Sequence, residues 1–112
     1  MQILHNPRCG KSRDTLKLIQ EAGIEPEVIL YLTDTPSKEE LADILKKLGV
    51  GAEAILRKGE AIFKENFKDK SFTEEEWLDI MVENPKLIER PIVIEGDKAV
   101  IGRPPENVKK LL

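Results

Sequence analysis

Two apolar runs, residues 1–5 and residues 27–32, bracket a single stretch of helical periodicity, and this alternation constrains the chain more than any other feature. The first run, Met1-Gln2-Ile3-Leu4-His5, reads as a short buried strand. Asn6-Pro7 breaks it, because Pro7 has no N–H to give a ladder and biases Asn6 away from helix. From residue 10 to residue 22, Leu16, Ile19 and Ala22, with Leu18 beside them, recur at helical spacing, and Gly23 supplies the stop. The second run, Glu27-Val28-Ile29-Leu30-Tyr31-Leu32, is nearly continuous and predicts a strand covered on both faces. Strand, helix and strand, joined this way, make a right-handed parallel crossover.

Residues 36–88 then read as helical. Ser37 with Glu40, and Thr73 with Glu76, have the spacing of capping boxes. The first opens a helix with Leu41, Ile44, Leu45 and Leu48 on one face, ending at Gly49. The second opens a helix carrying Trp77, Leu78, Ile80, Met81 and Val82, stopped by Asn84-Pro85. Shorter helical pieces are expected at residues 53–57 and 61–67. Residues 91–95 read as a strand, Gly96-Asp97-Lys98 as a turn and residues 99–101 as the antiparallel partner. Pro104-Pro105-Glu106 opens a last helix carrying Val108, Leu111 and Leu112. The order βαβ, helical block, ββα describes an α/β fold. It is a mixed four-stranded sheet flanked by helices, the thioredoxin-like architecture, with an inserted helical block at about residues 36–88. A chain of 112 residues is expected to form a single domain, residues 1–112, around one core.

The bulk properties exclude several classes of function. The net charge of −3 offers no basic surface, so no nucleic acid is expected as a partner. No apolar run approaches the roughly 18 residues that span a bilayer, and Met1 does not open a signal-peptide pattern. A cytoplasmic protein with no membrane partner is the expectation. One cysteine and one histidine are too few for a structural metal site, so no metal is expected.

The chemistry concentrates in His5-Asn6-Pro7-Arg8-Cys9-Gly10-Lys11-Ser12-Arg13. Cys9, the only cysteine, stands at the start of the first helix. There it faces unpaired backbone N–H groups and the positive end of the helix dipole, with Arg8, Lys11 and Arg13 nearby. Each favours thiolate, the nucleophilic form. The same groups attract an oxyanion. Two thiol chemistries are excluded by direct reading. Thr15, not arginine, stands six residues after Cys9, which rules out a phosphatase loop, and Ser12 stands where a Cys-x-x-Cys pair would need its second cysteine. Ser12 either donates its hydroxyl to the sulfur or serves as a first-turn hydroxyl. His5 either lowers the cysteine's pKa when protonated or holds the loop through a hydrogen bond. Asn6 reads as a loop-shaping residue.

Arg57, Arg90 and Arg103 each lie at the end of an element, where a sheet protein gathers loops around a site. Taken singly, each is a surface arginine with a weak salt bridge. Taken together, they offer planar forks suited to a tetrahedral oxyanion. Pro91, at the start of a strand and after Arg90, is a candidate for a cis bond.

The loop around Cys9, with Leu56-Arg57-Lys58, Leu87-Ile88-Glu89-Arg90-Pro91-Ile92-Val93 and Gly102-Arg103-Pro104-Pro105-Glu106, resembles the glutaredoxin-dependent arsenate reductases nearly end to end. The resemblance implies a thioredoxin-like fold, a nucleophile at Cys9 supported by His5, an oxyanion site of Arg57, Arg90 and Arg103, and a cis bond before Pro91. It implies reduction of arsenate to arsenite through a covalent cysteine–arsenic intermediate, with glutathione and glutaredoxin as partners and no bound cofactor. One thiol per chain fits a dependence on external thiols. Pairing of two chains through Cys9 is opposed by its ring of cations, so a monomer is expected. The alternative is a thiol-stress regulator on the same fold, with RNA polymerase as partner. Many such regulators carry Cys-x-x-Cys where this chain has Cys9 and Ser12.

Overall fold

The computed structural model describes residues 1–112. Its four strands are β1 (Gln2–Leu4), β2 (Glu27–Ile29), β3 (Ile92–Glu95) and β4 (Lys98–Ile101), joined in one sheet of order β2-β1-β3-β4. β1 runs parallel to β2, with Ile3 opposite Val28, and antiparallel to β3, with Leu4 opposite Ile92. β3 and β4 form a hairpin in which Ile92 faces Ile101 and Glu95 faces Lys98. Gly96 in its turn takes φ +61°, the positive value that the first central position of a tight hairpin turn requires. This is the mixed sheet of the thioredoxin-like architecture.

Backbone packing groups the chain into two compact units. The first joins Met1–Asp34 to Arg90–Leu112 and contains the sheet. Its core is Ile3, Val93, Ile19 and Val108, all fully buried. Ile19 comes from α1 (Gly10–Glu21), and Val108 from a closing 3₁₀ helix (Pro105–Leu111). Burying each such side chain contributes about 1.5–3 kcal/mol.

Two elements of this unit depart from the sequence reading. α1 spans the expected residues, but its buried face is Ser12, Thr15 and Ile19, while Ala22 is exposed and Leu16 half-buried. Hydroxyls sit in the interior here because both are hydrogen-bonded, Ser12 to His5 and Thr15 to the Lys11 carbonyl. β2 is not covered on both faces. It is an edge strand of three residues, and Val28 and Leu30 are each 44% exposed. After Ile29 the chain enters a turn closed by Thr33 and Asp34 N–H groups on the Leu30 carbonyl, which leaves Leu32 exposed and Tyr31 buried. A continuous apolar run does not distinguish a central parallel strand from an edge strand that bends away.

The second unit, Thr35–Glu89, is helical. It contains α2 (Lys38–Leu48), α3 (Ala61–Asn66) and α4 (Glu74–Glu83), with 3₁₀ turns at Ala52–Ile55 and Pro85–Leu87. Both capping boxes form in full. Glu40 N–H donates to Ser37 Oγ and Ser37 N–H to Glu40 Oε1, each at 3.1 Å. Glu76 N–H and Thr73 N–H make the same reciprocal pair at 3.2 and 2.9 Å. α2 buries Leu41, Ile44 and Leu45 and ends at Gly49, whose φ is +73°. Around α4 the aromatic rings gather: Trp77 meets Phe72 edge-on at 4.7 Å and stacks with Phe63 at 6.3 Å. Leu56 and Ile88 form a single antiparallel bridge.

Candidate active site

The site is built outward from the end of β1. His5 continues that strand, its N–H donating to the Ile29 carbonyl at 2.9 Å. Asn6-Pro7 then turns the chain. Asn6 Oδ1 accepts from Arg8 N–H, and the Asn6 carbonyl from Cys9 N–H, both at 3.0 Å. Asn6 thereby shapes the loop through both its side chain and its backbone. Arg13 Nη1 straps the same loop by donating to the Pro7 carbonyl at 2.9 Å.

Cys9 is the N-cap of α1, in extended conformation (φ −96°, ψ 123°), and only 9% exposed. Its carbonyl accepts the first helical bond, from Arg13 N–H. A side chain at this position faces the first-turn amides, which have no intrahelical partner, and the positive end of the dipole. No acidic residue in the first turn competes for them.

Ser12 is fully buried, its Oγ 2.6 Å from His5 Nδ1 and accepting from Asn6 N–H at 3.0 Å. Beside the reading in which Ser12 reaches the sulfur, the structure shows its oxygen engaged by His5 and by the loop backbone. His5 is buried, and its pKa lies below the usual histidine value, first because burial penalises the charged ring and second because Arg13 repels it. Of the two roles read from the sequence, the geometry favours the hydrogen bond. A neutral His5 braces the Cys9 loop through Ser12.

The sheet register brings the second half of the site to the same end. With Leu4 opposite Ile92 and Ile92 opposite Ile101, the end of β1, the start of β3 and the end of β4 coincide. His5, Pro91 and Gly102 continue those three strands. Gly102 N–H donates to the Pro91 carbonyl at 2.9 Å. Arg90 and Arg103 flank the open end of the hairpin, and Arg103 Nη1 lies 3.5 Å from the Arg90 carbonyl. Arg103 is exposed and Arg90 half-buried, with its Nε and Nη1 out of contact with solvent. The Arg90–Pro91 peptide is cis, as the resemblance implies, and so is Arg103–Pro104, which the sequence reading did not anticipate.

Two residues that the sequence reading missed hold this end together. A Cβ on Gly102 would lie 2.6 Å from Thr15 Oγ1 and 2.7 Å from Pro91 Cγ. Only glycine lets α1, Pro91 and the Arg103 loop approach so closely. Nothing local in the sequence marks this glycine, since its crowding comes from residues far away along the chain.

Arg57 belongs to the second unit. Its N–H donates to the Leu87 carbonyl at 2.8 Å, and Glu89 N–H donates to the Ile55 carbonyl at 2.7 Å, so a short bridged ladder fixes its backbone. Its guanidinium engages two carboxylates, Glu60 Oε1 at 3.2 Å and Glu89 Oε1 at 3.8 Å. Glu60 was legible as an acid three residues along, whereas Glu89 was not. No group of three or more His, Cys, Asp or Glu side chains has the arrangement to hold a metal ion, and no helix is long and apolar enough to cross a membrane.

Comparison with known proteins gives a consistent answer. The model of the ArsC family matches residues 4–111. The uncharacterized protein YfgD of Escherichia coli K12 is 50% identical, over 100% of this chain and 96% of its own length. An arsenate reductase of Haemophilus influenzae is 45% identical, over 98% of this chain and 97% of its own. The solved structure of the arsenate reductase from Vibrio cholerae superposes with a TM-score of 0.93 at 44% identity, covering 100% of this chain and 98% of that one.

Proposed function

The chain belongs to the ArsC family, and from that premise we propose that it is an arsenate reductase, with Cys9 as nucleophile and arsenate as substrate. The observation that carries this reading is Cys9 capping α1 at the sheet end where Arg90 and Arg103 stand. A thiol there stands at the first-turn amides of α1, and guanidinium groups brought to the same site would suit a tetrahedral oxyanion, which would otherwise repel a thiolate. The names of its relatives supply the oxyanion.

In this mechanism the Cys9 sulfur bonds to arsenic and one As–OH leaves as water. Glutathione displaces a second hydroxyl, again as water, giving a Cys9–S–As(V)–S–glutathione adduct. The thiolate of glutaredoxin attacks the glutathione sulfur. The electron pair of the S–As bond stays on arsenic, which becomes As(III), and a glutaredoxin–glutathione disulfide departs. Water then releases arsenite and the Cys9 thiol. His5 and Ser12 position the loop, and Arg90 and Arg103 neutralise the oxyanion. Arg57 enters as a third oxyanion ligand on the strength of the resemblance. The protein itself carries no cofactor in this scheme, because the reducing electrons arrive on thiols.

The test is steady-state arsenate reduction coupled to NADPH oxidation through glutathione reductase, omitting glutathione or glutaredoxin in turn. The complete system is expected to turn over, and either omission to stall it. Cys9→Ser is expected to abolish turnover with the fold intact. Arg57→Lys and Arg90→Lys are expected to slow it, because a point charge does not replace a planar fork. Sustained turnover without any small thiol overturns the single-cysteine mechanism. No turnover in the complete system overturns the arsenate assignment in favour of the regulator that binds RNA polymerase.

A further inference from the structure

β2 closes one side of the sheet, and its outer edge pairs with no other strand. Glu27 N–H donates to the Met1 carbonyl at 2.8 Å, and His5 N–H donates to the Ile29 carbonyl at 2.9 Å. Residues 27 and 29 thus direct their backbone groups to β1. By the alternation of a strand, the N–H and C=O of Val28 between them point away from the sheet. Such edge groups are a template for a further strand. Two features keep this template short. Pro26, the next outward position on one side, has no N–H to donate. On the other side, the Leu30 carbonyl is taken by the N–H groups of Thr33 and Asp34, at 3.0 and 2.8 Å.

Side chains decide what kind of segment fits. Val28 and Leu30 alternate onto one face of the strand and are both exposed, and Leu32 beyond the bend is exposed as well. Glu25 and Glu27 alternate onto the opposite face and are exposed too. From residue 18 to residue 37 the chain carries four acids, Glu21, Glu25, Glu27 and Asp34, and no lysine or arginine. All four are exposed, so the apolar edge lies in a field of one sign. A second copy would bring the same carboxylates to the same edge and meet like charge. We infer that β2 is a docking edge for a basic extended segment of a partner protein, added antiparallel and centred on Val28. In that orientation one partner residue takes both backbone groups of Val28. The partner residues opposite Val28 and Leu30 are apolar, and those opposite Glu27 and Glu25 are lysine or arginine. Opposite-charge and apolar cross-strand pairs stabilise a sheet, and main-chain bonds with alternating side chains are how sheet edges recognise peptides. The edge includes none of the residues assigned to the oxyanion site, so it stands apart from the arsenate chemistry.

The probe is the capped peptide Val-Thr-Val-Lys-Thr-Lys. Paired antiparallel, its second valine falls opposite Val28 and its lysines opposite Glu27 and Glu25. Titrated into the full chain and followed by amide NMR, it is expected to give saturable shifts at residues 27–29. Val-Thr-Val-Glu-Thr-Glu is expected to bind roughly fivefold more weakly, the scale of exposed ion pairs. Glu27→Lys is expected to narrow or reverse that preference. N-methylation of the second valine removes its bond to the Val28 carbonyl and is expected to abolish the shifts. No shift, shifts confined to another surface, equal binding of the two peptides, or full binding of the N-methylated one overturns the inference. Shifts at residues 27–29 that grow with chain concentration before any peptide is added assign the edge to a second copy, which overturns it as well.

Discussion

A buried ring next to a guanidinium keeps His5 neutral, and that determines how it serves Cys9. A neutral imidazole shares a proton with the Ser12 hydroxyl at 2.6 Å, whereas burial and then Arg13 both disfavour a charged one. His5 is the only histidine, so its ring can be followed by NMR without ambiguity. Its titration midpoint is expected below the ordinary value of about 6.5. The sign for stability follows. Just below about pH 6.5 the unfolded chain takes up a proton that the folded chain refuses, so stability is lost as pH falls from there toward the folded midpoint. Above that window His5 contributes no pH dependence. The melting temperature is expected to decline through the window in the wild type and less so in His5→Gln. A midpoint at or above the ordinary value would remove the neutral assignment.

Among the elements, the connection after β4 ties α1 to the start of β3. Gly102 is pinned between α1 and Pro91, and Arg103 follows it directly. Gly102→Ala places a methyl group inside the contact distance of Thr15 Oγ1 and Pro91 Cγ. The expected cost is about 1–3 kcal/mol of stability, typical of overpacking. Turnover is expected to fall as well, because the shift displaces the Arg103 loop. Urea unfolding with the coupled assay checks both. Thr15→Ala in the Gly102→Ala background removes one of the two clashes and is expected to recover part of the stability, a non-additive result that marks direct contact. Full stability in Gly102→Ala alone would mean that the junction yields freely.

For the whole molecule, the proposed site makes stability depend on oxyanion concentration. A ligand that binds only the folded chain adds about 2.7 kcal/mol at one hundred times its Kd. Arsenate is therefore expected to raise the melting temperature by several degrees. The rise is expected to shrink in Arg90→Lys and in Arg103→Lys. An undiminished rise in both variants would count against these arginines as oxyanion ligands. Arg57 adds a further element, because Glu60 and Glu89 already hold its guanidinium. An oxyanion at Arg57 would have to compete with two carboxylates.

Local rules reached a long way along this chain. Ser37 with Glu40, and Thr73 with Glu76, formed the boxes that their spacing announced, because a cap and its partner are three residues apart. Gly96 turned the hairpin, and Cys9 began its helix, for the same reason: the cause lies within one turn of the effect. What these rules did not reach depends on partners distant in sequence. That β2 is an edge strand follows from what the sheet leaves unpaired, and the buried hydroxyl face of α1 follows from the groups that meet Ser12 and Thr15. The crowding at Gly102 comes from Thr15, 87 residues away along the chain. Composition and periodicity state which residues prefer the interior. Only the folded chain decides which polar groups find a partner there, because hydrogen bonding and steric exclusion act through space over a few ångströms and are indifferent to separation in sequence.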